Sequence, residues 1–287
     1  MLIDLHTHST VSDGTDTPAQ LVAKAAAAGL SVVALTDHDS TLGWPSAVEA
    51  TKNQHITLVR GVEFSARWHG ITVHLLSFLG RPNYRPLVDQ MDKIHQSRTE
   101  RARIMVGKLA KDYPITWQEV AASGPKGVLG RPHLADALVA AGVVANRSAA
   151  FDSILHNSSS YYVPHYAPEA ATMIGLIRAS GGVPVMAHPG ATRRQRIVPD
   201  QAIQEMADAG LAGLEVYHRD NPAAQRRRLE HLAEQLKLLI TGASDYHGSG
   251  KPNRLAEHTT TPEVLDQIVE QGALAPVENG LEVAVVR

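Results

Sequence analysis

The chain has 287 residues, 44% hydrophobic and 20% charged, with 27 Lys+Arg against 29 Asp+Glu (net charge −2) and no Cys. Such a length can bury a sizeable core in one or two domains, and the missing cysteine excludes disulfides, thiolate nucleophiles and Cys-type zinc sites. The near-neutral balance carries no global basic field for long nucleic acid, and no apolar run approaches the ~20 residues of a membrane span.

The 15 histidines outnumber Met, Trp and Phe together (6, 3 and 3), and histidine is the commonest metal ligand. The first ten residues carry Asp4 and two histidines where a secretory leader needs an apolar core, so a cytoplasmic location is expected.

In chain order, a first strand over 2–5 leads into His6-Thr7-His8. Thr17, Pro18 and Gln20 supply an N-cap, an N1 proline and a capping-box partner for a helix that Gly29 ends. A strand over 31–35 runs into Thr36-Asp37-His38-Asp39, one over 56–59 into Gly61-Val62-Glu63, and the next, 73–79, contains His74. Helical patterns then follow without a strong strand between them, over 84–111, 116–122, 132–141 and 149–155. Strands resume at 183–187 before His188-Pro189-Gly190, at 214–217 before His218, and at 238–241 before Asp245-Tyr246-His247. Asn221-Pro222 and Thr261-Pro262 repeat the cap-then-proline signal. Alternating strands and helices predict an α/β chain with a parallel sheet, and about seven units favour a barrel. Residues 98–165, locally basic, are expected as a helical insertion between barrel segments 1–97 and 166–287.

Side chains two apart on a strand share a face, so His6 and His8 converge. Alone, that pair reads equally as two solvent-facing loop histidines. Jointly, the histidine and carboxylate clusters fall at or just past the C-terminal ends of predicted strands, the rim where barrels build active sites. That placement points to metal. A mixed nitrogen and oxygen donor set without sulfur suits Mn²⁺, Fe²⁺ or Zn²⁺. No GxSxG elbow and no P-loop pattern is present.

His6-x-His8, Asp13, Thr36-Asp37-His38, Glu63, His74, His188-Pro189 and Asp245-x-His247 resemble the motifs of the PHP (polymerase and histidinol phosphatase) family, across about the whole chain. The resemblance implies a distorted (β/α)7 barrel holding up to three divalent ions, Mn²⁺ first, with Zn²⁺ or Fe²⁺ as alternatives. His6, His8, Glu63 and Asp245 would hold one ion. Glu63 would bridge to a second, completed by His74 and His188, and Asp13, His38 and His247 would hold a third. Asp13 stands where several members carry histidine. Gly130-Arg131-Pro132-His133-Leu134-Ala135, Tyr162-Val163-Pro164 and Ala187-His188-Pro189-Gly190 resemble the branch of 3′,5′-nucleoside bisphosphate phosphatases and short-RNA 5′-exonucleases. That branch often has lysine where this chain has His165.

The chemistry so implied is attack of a metal-bridging hydroxide on phosphorus with no covalent enzyme intermediate. His218, or Asp245 by way of water, would protonate the leaving oxygen. Asp37 and Asp39 are expected to orient ligand imidazoles, with capping of the following helix as the alternative for Asp37. Arg131, His133, His165 and Arg194 are expected to read a second phosphate, which arginine grips with its planar fork. Phe151, Tyr161, Tyr162 and Tyr166 read as insertion core or as base-stacking surfaces. The expected activity is removal of the 3′-phosphate from nucleoside 3′,5′-bisphosphates. The alternatives are 5′-to-3′ trimming of short RNA, hydrolysis of L-histidinol phosphate, and a non-catalytic metal-binding module. Nucleotide or short RNA is the expected partner, with no obligate protein partner, membrane or long DNA.

Overall fold

The computed structural model describes residues 1–123, 129–193 and 195–283. Seven strands follow one another around the sheet in chain order: β1 (Ile3–Asp4), β2 (Val32–Leu35), β3 (Thr57–Trp68), β4 (Ile71–Phe78), β5 (Val183–Met186), β6 (Gly213–Tyr217) and β7 (Leu239–Gly242). Beyond β1 and β7, a parallel bridge between Thr7 and Tyr246 brings first and last strands together, and His8 N–H donates to the Tyr246 carbonyl at 2.8 Å. The result is the expected α/β barrel, nearly closed.

The distortion that the resemblance implies lies at β4, where the sheet departs from the parallel order. β4 runs antiparallel to both β3 and β5, because β3 extends to Trp68 and turns back at once through His69 and Gly70, at φ 44° and 81°. Two successive positive φ values make the tight hairpin turn whose twist suits paired strands. His74 therefore reaches the rim from the first half of a reversed strand, and Glu63 lies inside a long strand rather than past its end.

Helices α1 (Pro18–Ala27) and α2 (Trp44–Thr51) cover one flank. In α1, the Thr17 hydroxyl accepts the Gln20 N–H at 3.2 Å and Gln20 Oε1 accepts the Thr17 N–H at 2.9 Å. The long α3 (Arg85–Leu109) is followed by α4 (Trp117–Ser123), α5 (Arg131–Ala140) and α6 (Arg147–Asp152), and α7 (Ala170–Ala179) leads back to β5. Next come α8 (Asp200–Asp208), α9 (Ala223–Leu236), α10 (Pro262–Gln271) and a small β8 (Val277–Glu278) and β9 (Leu281–Glu282) hairpin whose β8 pairs with β3. No helix among the described residues is long and apolar enough to cross a membrane.

Two apolar layers hold the barrel. Outward residues such as Val33, Phe64 and Leu214 pack against Leu21, Trp44, Met173, Ile203 and Leu229 of the surrounding helices. Inside, Ile3, Val32, Val59, Leu76, Phe78 and Val185 form a dry floor against Leu265 and Ile268 of α10. Each such side chain, fully buried, stabilises the fold by about 1.5–3 kcal/mol. A third cluster joins Met105 and Leu109 of α3 to Val120, Leu134, Leu138 and Leu155, whereas Leu87, Met91 and Ile94 of the same helix belong to the barrel layer. The border between 97 and 98 thus falls inside α3. Ser97 Oγ accepts the Tyr166 N–H at 2.7 Å, so the two ends of segment 98–165 lie side by side.

Candidate metal centre

The backbone continuing β1 presents His6 and His8 with their Nε2 atoms 3.0 Å apart. Glu63 Oε2 lies 3.1 and 3.0 Å from these atoms, and Asp245 Oδ1, just past β7, lies 3.5 and 3.4 Å away. All four residues are buried. Ligand bonds of about 2.1 Å give ligand-to-ligand edges of about 3.0 Å for an octahedral and 3.4 Å for a tetrahedral ion, which these spacings match.

Glu63 Oε1 faces the other way, 2.8 Å from His74 Nδ1 and 3.1 Å from His188 Nε2, while Oε2 is 3.3 Å from His38 Nδ1. Asp13 Oδ1 lies 3.2 Å from His247 Nε2 and 3.8 Å from His8 Nδ1, and its Oδ2 lies 3.8 Å from His38 Nε2. Three groups of donor atoms emerge: His6, His8, Glu63 and Asp245; His8, Asp13, His38 and His247; His38, Glu63 and His74. All nine residues expected as ligands sit in one connected cluster. Its partition differs from the implied one, since His8 and His38 each offer a nitrogen to two groups and His188 approaches through Glu63 alone.

The electrostatics fit cations. Burial by itself would lower His8, but its hydrogen bonds to Asp245 and Glu63 and the charge of Glu63 and Asp13 push it up to about 9. His6 is likewise raised, by Glu215, Glu63 and Asp245 against its burial. Two Nε2 atoms 3.0 Å apart have room for one proton between them, so the pair holds one cation, a proton or a metal ion. A histidine raised in the folded state contributes stability that is full below its unfolded value of 6.5 and lost as pH rises toward 9. Metal uptake has the opposite sign: it displaces that proton and strengthens as pH rises. Burial lowers His188 and His247 to about 4 and His38 well below its usual value, leaving these rings neutral and ready to ligate. Glu63 and Asp13 stay ionised, because the surrounding histidines outweigh the burial that would raise them. His38 Nδ1, His188 Nδ1 and His247 Nε2 are buried with no hydrogen-bond partner. Orphaned buried atoms are rare in folded proteins, and bound ions would satisfy ring nitrogens of this kind.

Glu215, inside β6, was not singled out by sequence reasoning. Its Oε1 lies 2.9 Å from His6 Nδ1 and its Oε2 accepts the His188 N–H at 2.8 Å, the carboxylate support a ligating histidine needs. Asp4 accepts the Ser244 and Ala256 N–H groups at 3.0 and 3.1 Å, tying β1 to the loop that carries Asp245. Asn221 does not cap α9; its side chain donates to the Glu215 and Val216 carbonyls and accepts the Gly190 N–H, joining β6 to the His188 loop. Lys251 Nζ lies 3.0 Å from Asp245 Oδ2.

Asp37 and Asp39 behave differently from expectation. The hydrogen bonds of Asp37 go to Ser9 N–H and to the hydroxyls of Ser9 and Ser12 at 2.7–2.8 Å, so it shapes the His8–Asp13 loop, and α2 starts without a side-chain cap. Asp39 accepts the Ser65 N–H at 2.9 Å and pairs with Arg98 at 2.9 Å.

Around the mouth, Arg131 donates to the Leu155 carbonyl and Asn157 and lies 5.2 and 5.4 Å over the Phe151 and Tyr162 rings. Phe151 and Tyr161 pack against the third apolar cluster, and Tyr166 is exposed. Arg194 lies outside the described residues. His133 Nδ1 accepts the Gly130 N–H, His218 Nδ1 the Asp220 N–H and His165 Nδ1 an Arg101 N–H, each at 3.0 Å. An Nδ1 that accepts leaves the ring proton on Nε2, so all three are neutral Nε2–H donors.

Residues 4–173 match the PHP domain family model. The chain is 31% identical over 264 residues to a 3′,5′-nucleoside bisphosphate phosphatase of Chromobacterium violaceum, covering 90% of this chain and 91% of that protein. It is 31% identical over 245 residues to a 5′-3′ exoribonuclease of Haemophilus influenzae, covering 85% and 89%. Among solved structures, a Bifidobacterium adolescentis protein classed as a metal-dependent phosphoesterase superposes with a TM-score of 0.92 at 41% identity, covering 94% of this chain and 96% of that one. With a buried histidine and carboxylate cluster at the mouth of such a barrel, the chain belongs to the PHP domain family and is a metal-dependent phosphoesterase.

Proposed function

We propose that the enzyme removes the 3′-phosphate of nucleoside 3′,5′-bisphosphates and leaves 5′-mononucleotides. The observation that carries this reading is the cationic wall beside the histidine cluster: burial, and then the charges of Arg98 and Arg131, lower Arg101, and His165, whose Nδ1 faces Arg101 at 3.0 Å, joins the same group. A substrate with a single phosphate has no use for that second set of charges. The relative from C. violaceum, named for the same substrate class, supports it.

The nine clustered residues would hold the ions, with Mn²⁺ as the proposed native metal. When bound, divalent ions supply an activated water and neutralise charge on the phosphoryl oxygens. His218 contributes a hydrogen bond and not a proton: with Nδ1 committed to the Asp220 N–H, losing the Nε2 proton would leave an imidazolate. That buried Nε2 lies 3.7 Å from Asp245 Oδ2 and has no hydrogen-bond partner, so it is available to an oxygen of the substrate. The proton for the leaving 3′-oxygen then comes from water beside Asp245 and Lys251. A second reading, exoribonuclease action on short RNA, draws on a surface groove of about 390 Å³ between α3 and Val163-Pro164, with Arg101 on its wall, which has room for a following nucleotide.

The test is phosphate release by metal-stripped protein restored with Mn²⁺, offered adenosine 3′,5′-bisphosphate, 5′-AMP, L-histidinol phosphate or a short 5′-phosphorylated RNA. The bisphosphate is expected to turn over fastest, with 5′-AMP as product. Cleavage of the RNA alone would shift the assignment to the exoribonuclease, and a preference for histidinol phosphate would sink both.

A further inference from the structure

Asp13 is held from two sides. On the barrel side, Asp37 fixes Ser9 and Ser12 at the start of its loop. The Ser9 carbonyl accepts the Ser12 and Gly14 N–H groups at 3.1 and 2.9 Å, so the loop is tight and Asp13 stands at its turn. On the other side, the Asp13 carbonyl accepts from Arg147 Nη1 at 2.7 Å, a bond between residues 134 positions apart.

Arg147 opens α6, with its side chain only 14% exposed. Its Nε and Nη2 donate to the two carboxylate oxygens of Asp136 in α5 at 2.5 and 2.7 Å, the two-point grip that a planar guanidinium provides. Helices α5 and α6 share the third apolar cluster through Leu134, Leu138 and Ala150. The guanidinium thus joins a packed helical unit to a loop of the barrel. It also lies against a second loop, because a Cβ at Gly250 would collide with Arg147 Nη1. Gly250 is three residues past His247, whose carbonyl accepts the Thr15 N–H at 3.1 Å, and Thr15 Oγ1 accepts the Ser249 N–H at 2.8 Å. One side chain therefore touches both loops that carry Asp13 and His247, two of the four donors in the group they form with His8 and His38. No hydrogen bond between described residues joins segment 98–165 to any other donor of the three groups.

We propose that Arg147 is a positioning residue for one metal ion: it sets Asp13 in place for the group of His8, Asp13, His38 and His247, and couples that group to the docking of α5 and α6. The inference rests on the metal reading of the cluster and goes beyond it. Docking of the helices favours the ion at this group, and the ion favours docking by the same factor, since such coupling is reciprocal.

The experiment titrates Mn²⁺ calorimetrically into metal-free wild type, Arg147→Gln and Asp136→Asn, and locates the ions by manganese anomalous scattering in soaked crystals. Asp136→Asn alters neither barrel loop and removes only the carboxylate anchor on α5. Both variants are expected to weaken Mn²⁺ at the Asp13 group about 10- to 100-fold, with the other two groups unchanged. Arg147→Lys, which keeps a donor for the Asp13 carbonyl but no two-point grip, should fall between. Mn²⁺ should also slow amide exchange in α5 and α6 of the wild type, and not in Arg147→Gln. Equal affinities in all proteins, equal weakening at all three groups, or a wild type that fills only the other two groups overturns the proposal. Weakening in Arg147→Gln alone confines its role to the loop and overturns the link to the helices. Mn²⁺ at none of the groups would sink the metal reading itself, and this proposal with it.

Discussion

Glu215 contributes no atom to the three donor groups, yet two of the histidines depend on it. One carboxylate oxygen fixes the ring of His6 and the other fixes the backbone of His188. Gln can keep one of these contacts but turns an amide N–H toward the other. Glu215→Gln is therefore expected to weaken divalent metal binding about 10- to 100-fold, read by calorimetric titration of the metal-free protein; unchanged affinity would reject the role assigned to Glu215. The residue was legible in principle, as an acid between Leu214 and Val216 in a strand otherwise fit for burial. The ligand positions themselves were easier to read, because each stands beside a recognisable strand end. Histidine roles were not, since a tautomer is set by the group that donates to Nδ1. For His133 and His218 that donor is two or three residues away, whereas for His165 it comes from Arg101, 64 positions earlier in the chain.

At the level of elements, the alternation of strands and helices revealed the barrel but hid its one reversed strand. Residues 56–59 and 73–79 were both visible as apolar runs. The stretch between them, with Glu63, Ser65 and Arg67 on its inner face, looked too polar for a strand because that face serves the site and not the floor. The hairpin signal was present in His69-Gly70, a two-residue turn. Gly70 sits at φ 81° with open space where a Cβ would be, so Gly70→Ala meets only backbone strain. A loss of about 1 kcal/mol is expected, visible as a lower urea midpoint at unchanged m-value. No shift would mean that the turn tolerates a side chain and does not set the register of β3 and β4. The helical segment was legible for the opposite reason: its helices carry their own caps, such as Thr116 with Glu119, and their own apolar cluster. Its border inside α3 was not, because a single helix serves two cores.

For the molecule as a whole, the net charge of −2 conceals a steep local separation, with histidines and carboxylates clustered at the mouth and arginines just beyond them. The apolar floor beneath, backed by α10, closes that end of the barrel, so products are expected to leave by the mouth. On the bisphosphate reading the nucleotide product would keep its second phosphate beside the arginines, so 5′-AMP is expected to inhibit competitively against the bisphosphate in initial-rate assays. A noncompetitive pattern would point to release by another path. Because β3 runs outward from Glu63 past Ser65 to Arg67, a phosphate released at the metal cluster would, on that reading, start deeper than the nucleotide and travel out past the arginines. Turnover would then acquire a queue: the nucleotide would depart first, and the inorganic phosphate would follow it past the charges at the mouth.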